Sequence, residues 1–148
     1  MDLDAIYEKI LERIDKTKVI RNEPMSKHTS FKVGGNADFF IEPTNSEEIE
    51  SLIELSKEEN IPLTIIGNGT NLIVRDHGIR GMVLKVNLRN IDIERTEDKL
   101  YITAGASVPL AKLSKMAKEN SGTGLEFACR YTRKYRWSNL YECWSIWF

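Results

Sequence analysis

The sequence contains few cysteines and no long apolar run. Its 148 residues include two cysteines, Cys129 and Cys143, without the spacing or the neighbours of a metal site. The longest apolar stretches fall far short of the ~20 residues that a membrane-spanning helix needs. The sequence therefore argues against a disulfide scaffold, a bound metal and a membrane partner.

The sequence also lacks an excess of charge of either sign. Its 21 basic and 22 acidic residues give a formal net charge of −1, which gives no indication of a nucleic-acid partner. The N-terminus reads Met1-Asp2-Leu3-Asp4 and does not resemble a secretory signal. Together with the scarcity of cysteine, this predicts a cytoplasmic protein. A content of 41% hydrophobic and 29% charged residues is typical of a globular domain.

The N-terminal half predicts a helix followed by a β-α-β unit. Apolar residues recur at helical spacing over residues 3–15. Residues 37–42 predict a strand, the positions Thr44–Ser46 offer helix N-caps, and helical spacing then continues to Asn60. A short apolar strand, Leu63–Ile66, completes the unit.

The second half predicts further strands and one more helix. The predicted strands are Leu72–Val74, Met82–Val86, Ile91–Arg95 and Leu100–Ala104, the last two forming a hairpin. Ser107 is a plausible N-cap for a helix with Pro109 in its first turn. After Cys129 the pattern shows neither a helical nor a strand period.

A glycine-containing loop follows the predicted strand Leu63–Ile66 directly. Its sequence is Gly67-Asn68-Gly69-Thr70-Asn71, in which two glycines allow a tight turn and close approach of the backbone to a ligand. Successive N–H groups in such a loop can surround an anion, so a pyrophosphate is the ligand that fits. The loop has neither the Lys-Ser/Thr pair of a Walker A motif nor the Gly-x-Gly-x-x-Gly pattern. Taken alone, it favours a plain turn between strands over a phosphate site.

Three neighbouring motifs shift the preference from a plain turn towards a phosphate site. Residues 27–38 read Lys-His-Thr-Ser-Phe-Lys-Val-Gly-Gly-Asn-Ala-Asp, residues 103–107 Thr-Ala-Gly-Ala-Ser, and residues 124–128 Gly-Leu-Glu-Phe-Ala. In this order and spacing, the chain resembles the UDP-N-acetylenolpyruvoylglucosamine reductase (MurB) family of peptidoglycan synthesis from about residue 20 to residue 129. That family carries Thr-Ser/Thr-Phe-x-Val-Gly-Gly, then Gly-x-Gly-Ser/Thr-Asn, Ala-Gly-Ala and Gly-Leu-Glu-Phe-Ala.

The resemblance implies a fold and a domain organisation. The fold is α+β, of the vanillyl-alcohol-oxidase or PCMH type, with two α/β lobes that hold FAD between them and a second lobe that is incomplete. An N-terminal helix occupies residues 1–20, and the FAD-binding domain occupies residues 21–129. Its first lobe ends near residue 80, and residues 130–148 form a separate tail.

The same resemblance implies a cofactor and a reaction. The family transfers a hydride from NADPH to the flavin and then to the enolpyruvyl double bond of UDP-N-acetylglucosamine enolpyruvate, which forms UDP-N-acetylmuramate for cell-wall synthesis. Such an enzyme serves cell shape and cell division. No catalytic residue of the family maps onto this chain, because the family's arginine, serine proton donor and glutamate lie beyond the matching part. The implied FAD-binding residues are Gly67, Asn68, Gly69, Thr70, Asn71, Gly105 and Ala106.

The composition changes abruptly after Cys129. The tryptophans Trp137, Trp144 and Trp147 all lie in the last twelve residues, where the family has a glycine-rich stretch. Tryptophan has the single codon TGG, so reading one base later gives glycine at all three positions, each on a glycine of the family motif. We therefore expect residues 130–148 to be an out-of-frame translation, which sequencing the gene across codon 129 tests. Such a product is expected to be inactive and aggregation-prone, with weak or absent FAD binding.

Other interpretations of the same residues stay open. The chain could be another FAD-binding oxidoreductase, or a non-catalytic nucleotide-binding or interaction module whose basic, tryptophan-rich tail stacks on nucleic acid. His28 is interpreted as a loop residue rather than a catalytic base, because no nucleophile can be paired with it. His77 is interpreted as part of a turn. Glu126 is either a buried structural carboxylate or a group beside the flavin.

Overall fold

A mixed sheet with helices and a smaller antiparallel sheet appear in a computed structural model that describes residues 2–130 and 144–147. The chain divides into a first unit, residues 1–87, and a second unit, residues 88–148. The predicted division near residue 80 would cut through a strand, and the observed division comes after that strand has ended.

The sheet of the first unit has the order β1-β2-β4-β3. Its strands are β1 (Val19–Pro24), β2 (Asn36–Ile41), β3 (Leu63–Ile66) and β4 (Ile79–Lys85). β1 runs antiparallel to β2, whereas β2, β3 and β4 are parallel. The predicted β-α-β unit is therefore β2, a helix and β3, with β4 inserted between the two strands.

Two helices accompany this sheet. The helix α1 (Leu3–Leu11) begins at Asp2, whose side chain accepts hydrogen bonds from the amides of residues 4 and 5. The helix α2 (Ser46–Glu58) begins at Asn45, one of the predicted N-caps, which accepts from the amide of residue 48. The first helix is shorter than the predicted stretch, and its apolar stripe continues beyond it as the buried Ile14.

Both faces of β2 are buried. On one face, Phe39 and Ile41 pack with residues of α1 and α2 and with Met82 and Leu84 of β4. On the other face, Ala37 and Phe40 pack with residues of the loops, among them Met25 and Val74. Burial on both faces explains why β2 reads as a nearly continuous apolar run.

A buried carboxylate ties β2 to β4. Asp38 accepts a hydrogen bond from the amide of Gly81 at 2.9 Å and pairs with Arg80 at 2.6 Å, while its side chain is only 5% exposed. The Arg80 guanidinium also donates to the carbonyl oxygens of Asn36 and His77. These contacts fix the start of β4 and the turn before it.

The predicted strand Leu72–Val74 is wrong, because this segment is a loop. β3 and β4 are parallel, so the chain between them has to return to the opposite end of the sheet before it can pair again. Its backbone bonds with the segment before β2 instead, and the amide of Gly35 donates to the carbonyl of Arg75 at 3.0 Å. Ile73 is left 69% exposed, whereas Val74 is buried.

The described residues of the second unit form an antiparallel sheet and one α-helix. The strands β5 (Ile91–Arg95) and β6 (Lys99–Ala104) form the predicted hairpin, and β7 (Trp144–Trp147) pairs with β6 on its other side. The tail therefore contains a strand that its pattern did not predict. The helix α3 (Leu110–Glu119) packs on this sheet through Leu113 and Ala117.

Ser107 is not the N-cap of α3, so that prediction is wrong. The cap is Pro109, which has an extended conformation and makes no side-chain cap bond. Ser107 is buried, and its amide donates to the carbonyl of Leu88 at 2.9 Å. Within the described residues, no helix is long and apolar enough to cross a membrane.

Candidate functional site

The Gly67–Asn71 loop lies at the carboxyl end of β3, beside the parallel strand β4. In open sheets with parallel strands, ligands bind outside the carboxyl ends of the strands. The loop is neither a helix nor a strand, so its amides are not committed to regular secondary structure. Its position therefore suits a binding loop.

The loop also has the features that a diphosphate requires. Asn68, Thr70 and Asn71 are exposed, and Gly67 is half-buried. In the part of the chain that the structure describes, the amides of residues 68–71 donate no hydrogen bond. Uncommitted N–H groups on consecutive residues can converge on an anion. The residues present therefore fit the pyrophosphate of a dinucleotide.

The two glycines of the loop have different roles. Gly69 is buried with φ at +62°, and a Cβ built on it would lie 1.8 Å from the carbonyl oxygen of His28. Gly67 is half-buried, and its φ is not positive. The protein itself therefore demands glycine at position 69, whereas the backbone conformation at position 67 is one that other residues can adopt.

The segment before β2 is the surface on which this loop rests. The amide of Ser30 donates to the carbonyl of Gly69 at 3.0 Å. A Cβ on Gly35 would lie 1.9 Å from the carbonyl oxygen of Asp76, and one on Gly34 would lie 2.7 Å from the Cβ of Val74. The Thr-Ser-Phe-x-Val-Gly-Gly motif thus places its serine and glycines against the connection between β3 and β4.

His28 lies in a loop before β2, as predicted, but two contacts hold its ring in place. The ring stacks on Phe40 with centroids 3.9 Å apart, and its Nε2 lies 3.0 Å from Oε1 of Glu23. The side chains of His28 and Glu23 are 14% and 10% exposed. The sequence does not indicate this arrangement, because the spacing of Glu23, His28 and Phe40 along the chain does not reveal a ring contact.

The other two predicted cofactor residues lie in the second unit, in the turn after β6. Gly105 is buried, its amide donates to the carbonyl of Asn90 at 2.9 Å, and a Cβ on it would lie 2.6 Å from the carbonyl oxygen of Leu88. Packing within the unit therefore already explains this glycine. Ala106 follows it and is half-buried.

The structure also bears on the interpretations of Glu126 and His77. Glu126 is exposed, so the interpretation as a buried structural carboxylate is wrong. Hydrogen bonds from its own backbone N–H and from that of Gly124 hold the pKa of the Glu126 carboxyl below its ordinary value. His77 lies in a turn, as predicted, and its carbonyl accepts from Arg80.

Some of the predictions from the sequence concern residues that the structure does not describe. Trp137 and Cys143 fall outside the described residues, as does most of the predicted out-of-frame tail. Among the residues that are described, no three His, Cys, Asp or Glu side chains are grouped so as to hold a metal ion.

A family model described as an FAD binding domain matches residues 37–133. A UDP-N-acetylenolpyruvoylglucosamine reductase from Desulforamulus reducens is 45% identical over 120 residues, which cover 80% of this chain and 38% of that protein. The protein of that name from Staphylococcus aureus strain Newman is 40% identical over 125 residues, covering 84% and 39% of the two chains. The chain thus spans less than half the length of these relatives.

The comparison with solved structures indicates the same fold. The UDP-N-acetylenolpyruvylglucosamine reductase (MurB) from Thermus caldophilus matches with a TM-score of 0.55 and 22% identity, over 80% of this chain and 39% of that one. An alkyldihydroxyacetonephosphate synthase matches with a TM-score of 0.61 and 13% identity, over 81% and 28% of the two chains. At these identities the likeness concerns the fold, which confirms the predicted vanillyl-alcohol-oxidase type of FAD-binding fold.

Proposed function

Because the chain belongs to the FAD binding domain family, we propose that it forms the FAD-binding part of a UDP-N-acetylenolpyruvoylglucosamine reductase. The matching residues, 37–133, include the Gly67–Asn71 loop, all of β3 and β4, and β2 except its first residue, Asn36. Sequence identities of 40% and 45% with reductases of that name support this reaction rather than another flavin reaction. FAD is the cofactor of the family.

The observation that carries the proposal is the state of the Gly67–Asn71 loop. Consecutive amides with no partner among the described residues stand at the carboxyl end of a parallel strand, and three of the side chains are exposed. In this proposal, the amides of Asn68, Gly69, Thr70 and Asn71 bind the diphosphate of FAD. In the same proposal, the absence of a side chain at Gly67 lets the diphosphate approach the backbone.

The proposed reaction reduces the enolpyruvyl double bond of UDP-N-acetylglucosamine enolpyruvate with electrons from NADPH. Bound FAD supplies the hydride carrier for this chemistry. In this proposal, the residues of this chain hold the diphosphate in the middle of the cofactor and thereby orient it. We assign no catalytic residue to the described part of the chain. The proposal includes a cytoplasmic location and a role in cell-wall synthesis, and so in cell shape and division.

The first alternative is another oxidoreductase of the same fold. Solved structures with this fold include a p-cresol methylhydroxylase at 15% identity and a glucose dehydrogenase at 10% identity. These values are far below the identities with the reductases, which disfavours this alternative. The out-of-frame origin of residues 130–148 stays a prediction, and so does the alternative of a nucleic-acid-binding tail.

The choice of ligand tests the proposal. We expect the purified chain to bind FAD and ADP, which carry a diphosphate, at least about tenfold more tightly than riboflavin, which carries no phosphate. Because the chain spans less than half of its relatives, we expect weak binding, with dissociation constants roughly in the millimolar range. Equilibrium dialysis at high ligand concentration measures all three affinities.

The same dialysis includes a control for nonspecific binding of the flavin ring. Riboflavin bound as tightly as FAD would mean that the ring, and not the diphosphate, is recognised. No binding of FAD or ADP by folded protein would also contradict the proposal. Folding is checked in parallel by the dispersion of backbone NMR signals from β2 and β4.

A further inference from the structure

We infer that His28 is a positioning residue for the Gly67–Asn71 loop, acting through its backbone carbonyl on Gly69. The inference rests on the proposed function, because it concerns how the diphosphate-binding loop is held. His28 lies outside the loop and outside the residues that the sequence assigned to the cofactor. Three sets of contacts support the assignment.

The first set fixes the side chain of His28. Its ring stacks on Phe40, which is 1% exposed, at an interplanar angle of 20°. Nε2 lies within hydrogen-bond distance of Glu23, whose side chain is 10% exposed. A ring that is packed on one side and bonded at its edge has little rotational freedom. The position of the His28 main chain is therefore determined by the core.

The second set of contacts connects the backbone of His28 to the Gly67–Asn71 loop. The carbonyl oxygen of His28 lies where a Cβ of residue 69 would be, at 1.8 Å from the built atom. Two residues later, the amide of Ser30 donates to the carbonyl of Gly69 at 3.0 Å. The backbone of residues 28–30 therefore holds Gly69 in its left-handed conformation, with φ at +62°. That conformation sets the directions of the amides that follow in the loop.

The third set of contacts indicates that, among the described residues, no other side chain takes the place of His28. The second partner of Glu23 is Lys27, at 3.3 Å, and the Lys27 side chain is 63% exposed. An exposed, flexible ammonium group does not fix the buried carboxylate or the backbone beside Gly69. Lys85 lies 5.8 Å from the Phe40 ring and pairs with Glu42, so it belongs to a different ion pair. The ring of His28 is the group that joins Glu23 to Phe40.

The experiment compares three variants of the full chain. His28→Ala removes the ring and the donor, and His28→Gln keeps a donor that can reach toward Glu23. His77→Ala is the matched control, because His77 is the other histidine and is exposed in a turn. Three quantities are measured: the dissociation constant for FAD, the hydrogen-exchange rate of the Ser30 amide, and the urea concentration at the midpoint of unfolding.

We expect His28→Ala to raise the dissociation constant for FAD about tenfold and to accelerate exchange of the Ser30 amide, as for other residues that support a binding site. His28→Gln is expected to restore part of both, and His77→Ala to leave both unchanged. If His28→Ala does not fold, His28→Gln and His28→Phe carry the same comparison, since phenylalanine keeps the stacking but not the donor.

A lower unfolding midpoint with wild-type FAD affinity and wild-type Ser30 exchange would show a merely structural role and overturn the inference. Failure of the proposed function looks different. In that case the wild-type chain does not bind FAD at all. The Ser30 exchange rate still reports whether His28 positions the loop, because it requires no ligand.

Discussion

Gly69→Ala is expected to destabilise the first unit by about 2–4 kcal/mol and to abolish the binding of FAD. Position 69 has φ at +62°, a conformation that costs a residue with a side chain about 1–2 kcal/mol. The added Cβ would lie 1.8 Å from the His28 carbonyl oxygen and 3.2 Å from the Cα of Thr29. Both are backbone atoms, so no side-chain rotation relieves the contact, and the loop has to move.

Gly67→Ala is the matched comparison in the same loop. A Cβ at this position carries no conformational penalty from φ, and Gly67 is only half-buried. We therefore expect a change in stability within about 0.5 kcal/mol but a dissociation constant for FAD raised about tenfold, because the methyl group occupies the space of the ligand. Urea unfolding followed by the NMR signals of β2 and β4 gives the stabilities, and dialysis gives the affinities. Equal effects of the two substitutions on stability would contradict the different roles of these glycines.

Phe40→Ala is expected to cost about 3–5 kcal/mol, because it empties a fully packed position in the core. Phe40 is 1% exposed, and it packs with Met25, Ile66 and Val83 on the face of the sheet that carries the loops. The Phe40→Ala substitution also removes the surface on which the His28 ring stacks. Because single domains are stable by only about 5–15 kcal/mol, this loss is expected to remove a large part of the stability of the first unit.

Phe31→Ala is the control for Phe40→Ala. Phe31 belongs to the same unit and is 55% exposed, so its truncation is expected to change the stability by less than about 0.5 kcal/mol. Urea unfolding of both variants, followed at β2 and β4, makes the comparison. Similar losses for the two variants would mean that the packing around Phe40 does not stabilise the unit.

Local patterns in the sequence are sufficient to predict most of the helices and strands. Period and capping residues predicted α1, α2 and the β5–β6 hairpin, because each depends on neighbours a few residues apart. The strand predicted at Leu72–Val74 failed for the opposite reason. Three apolar residues in a row favour a strand, but the parallel arrangement of β3 and β4 requires a returning connection there. That requirement depends on strand order, which local periodicity does not contain.

The sequence likewise indicates only part of the candidate site. The Gly67–Asn71 motif was visible in the sequence, and so was the neighbouring Thr-Ser-Phe-x-Val-Gly-Gly motif. Their physical relation was not, because it consists of backbone contacts between segments about forty residues apart, as between Ser30 and Gly69. The pairing of Glu23 with His28 beneath that contact depends on the packing of Phe40.

The central claim is that the amides of residues 68–71 bind a diphosphate. A titration of the ¹⁵N-labelled chain with FAD, followed by backbone NMR, tests it residue by residue. We expect the signals of Asn68, Gly69, Thr70 and Asn71 to shift most, ADP to reproduce these shifts, and riboflavin to leave these signals unshifted. Shifts confined to other residues, or none in this loop at saturating FAD, would contradict it.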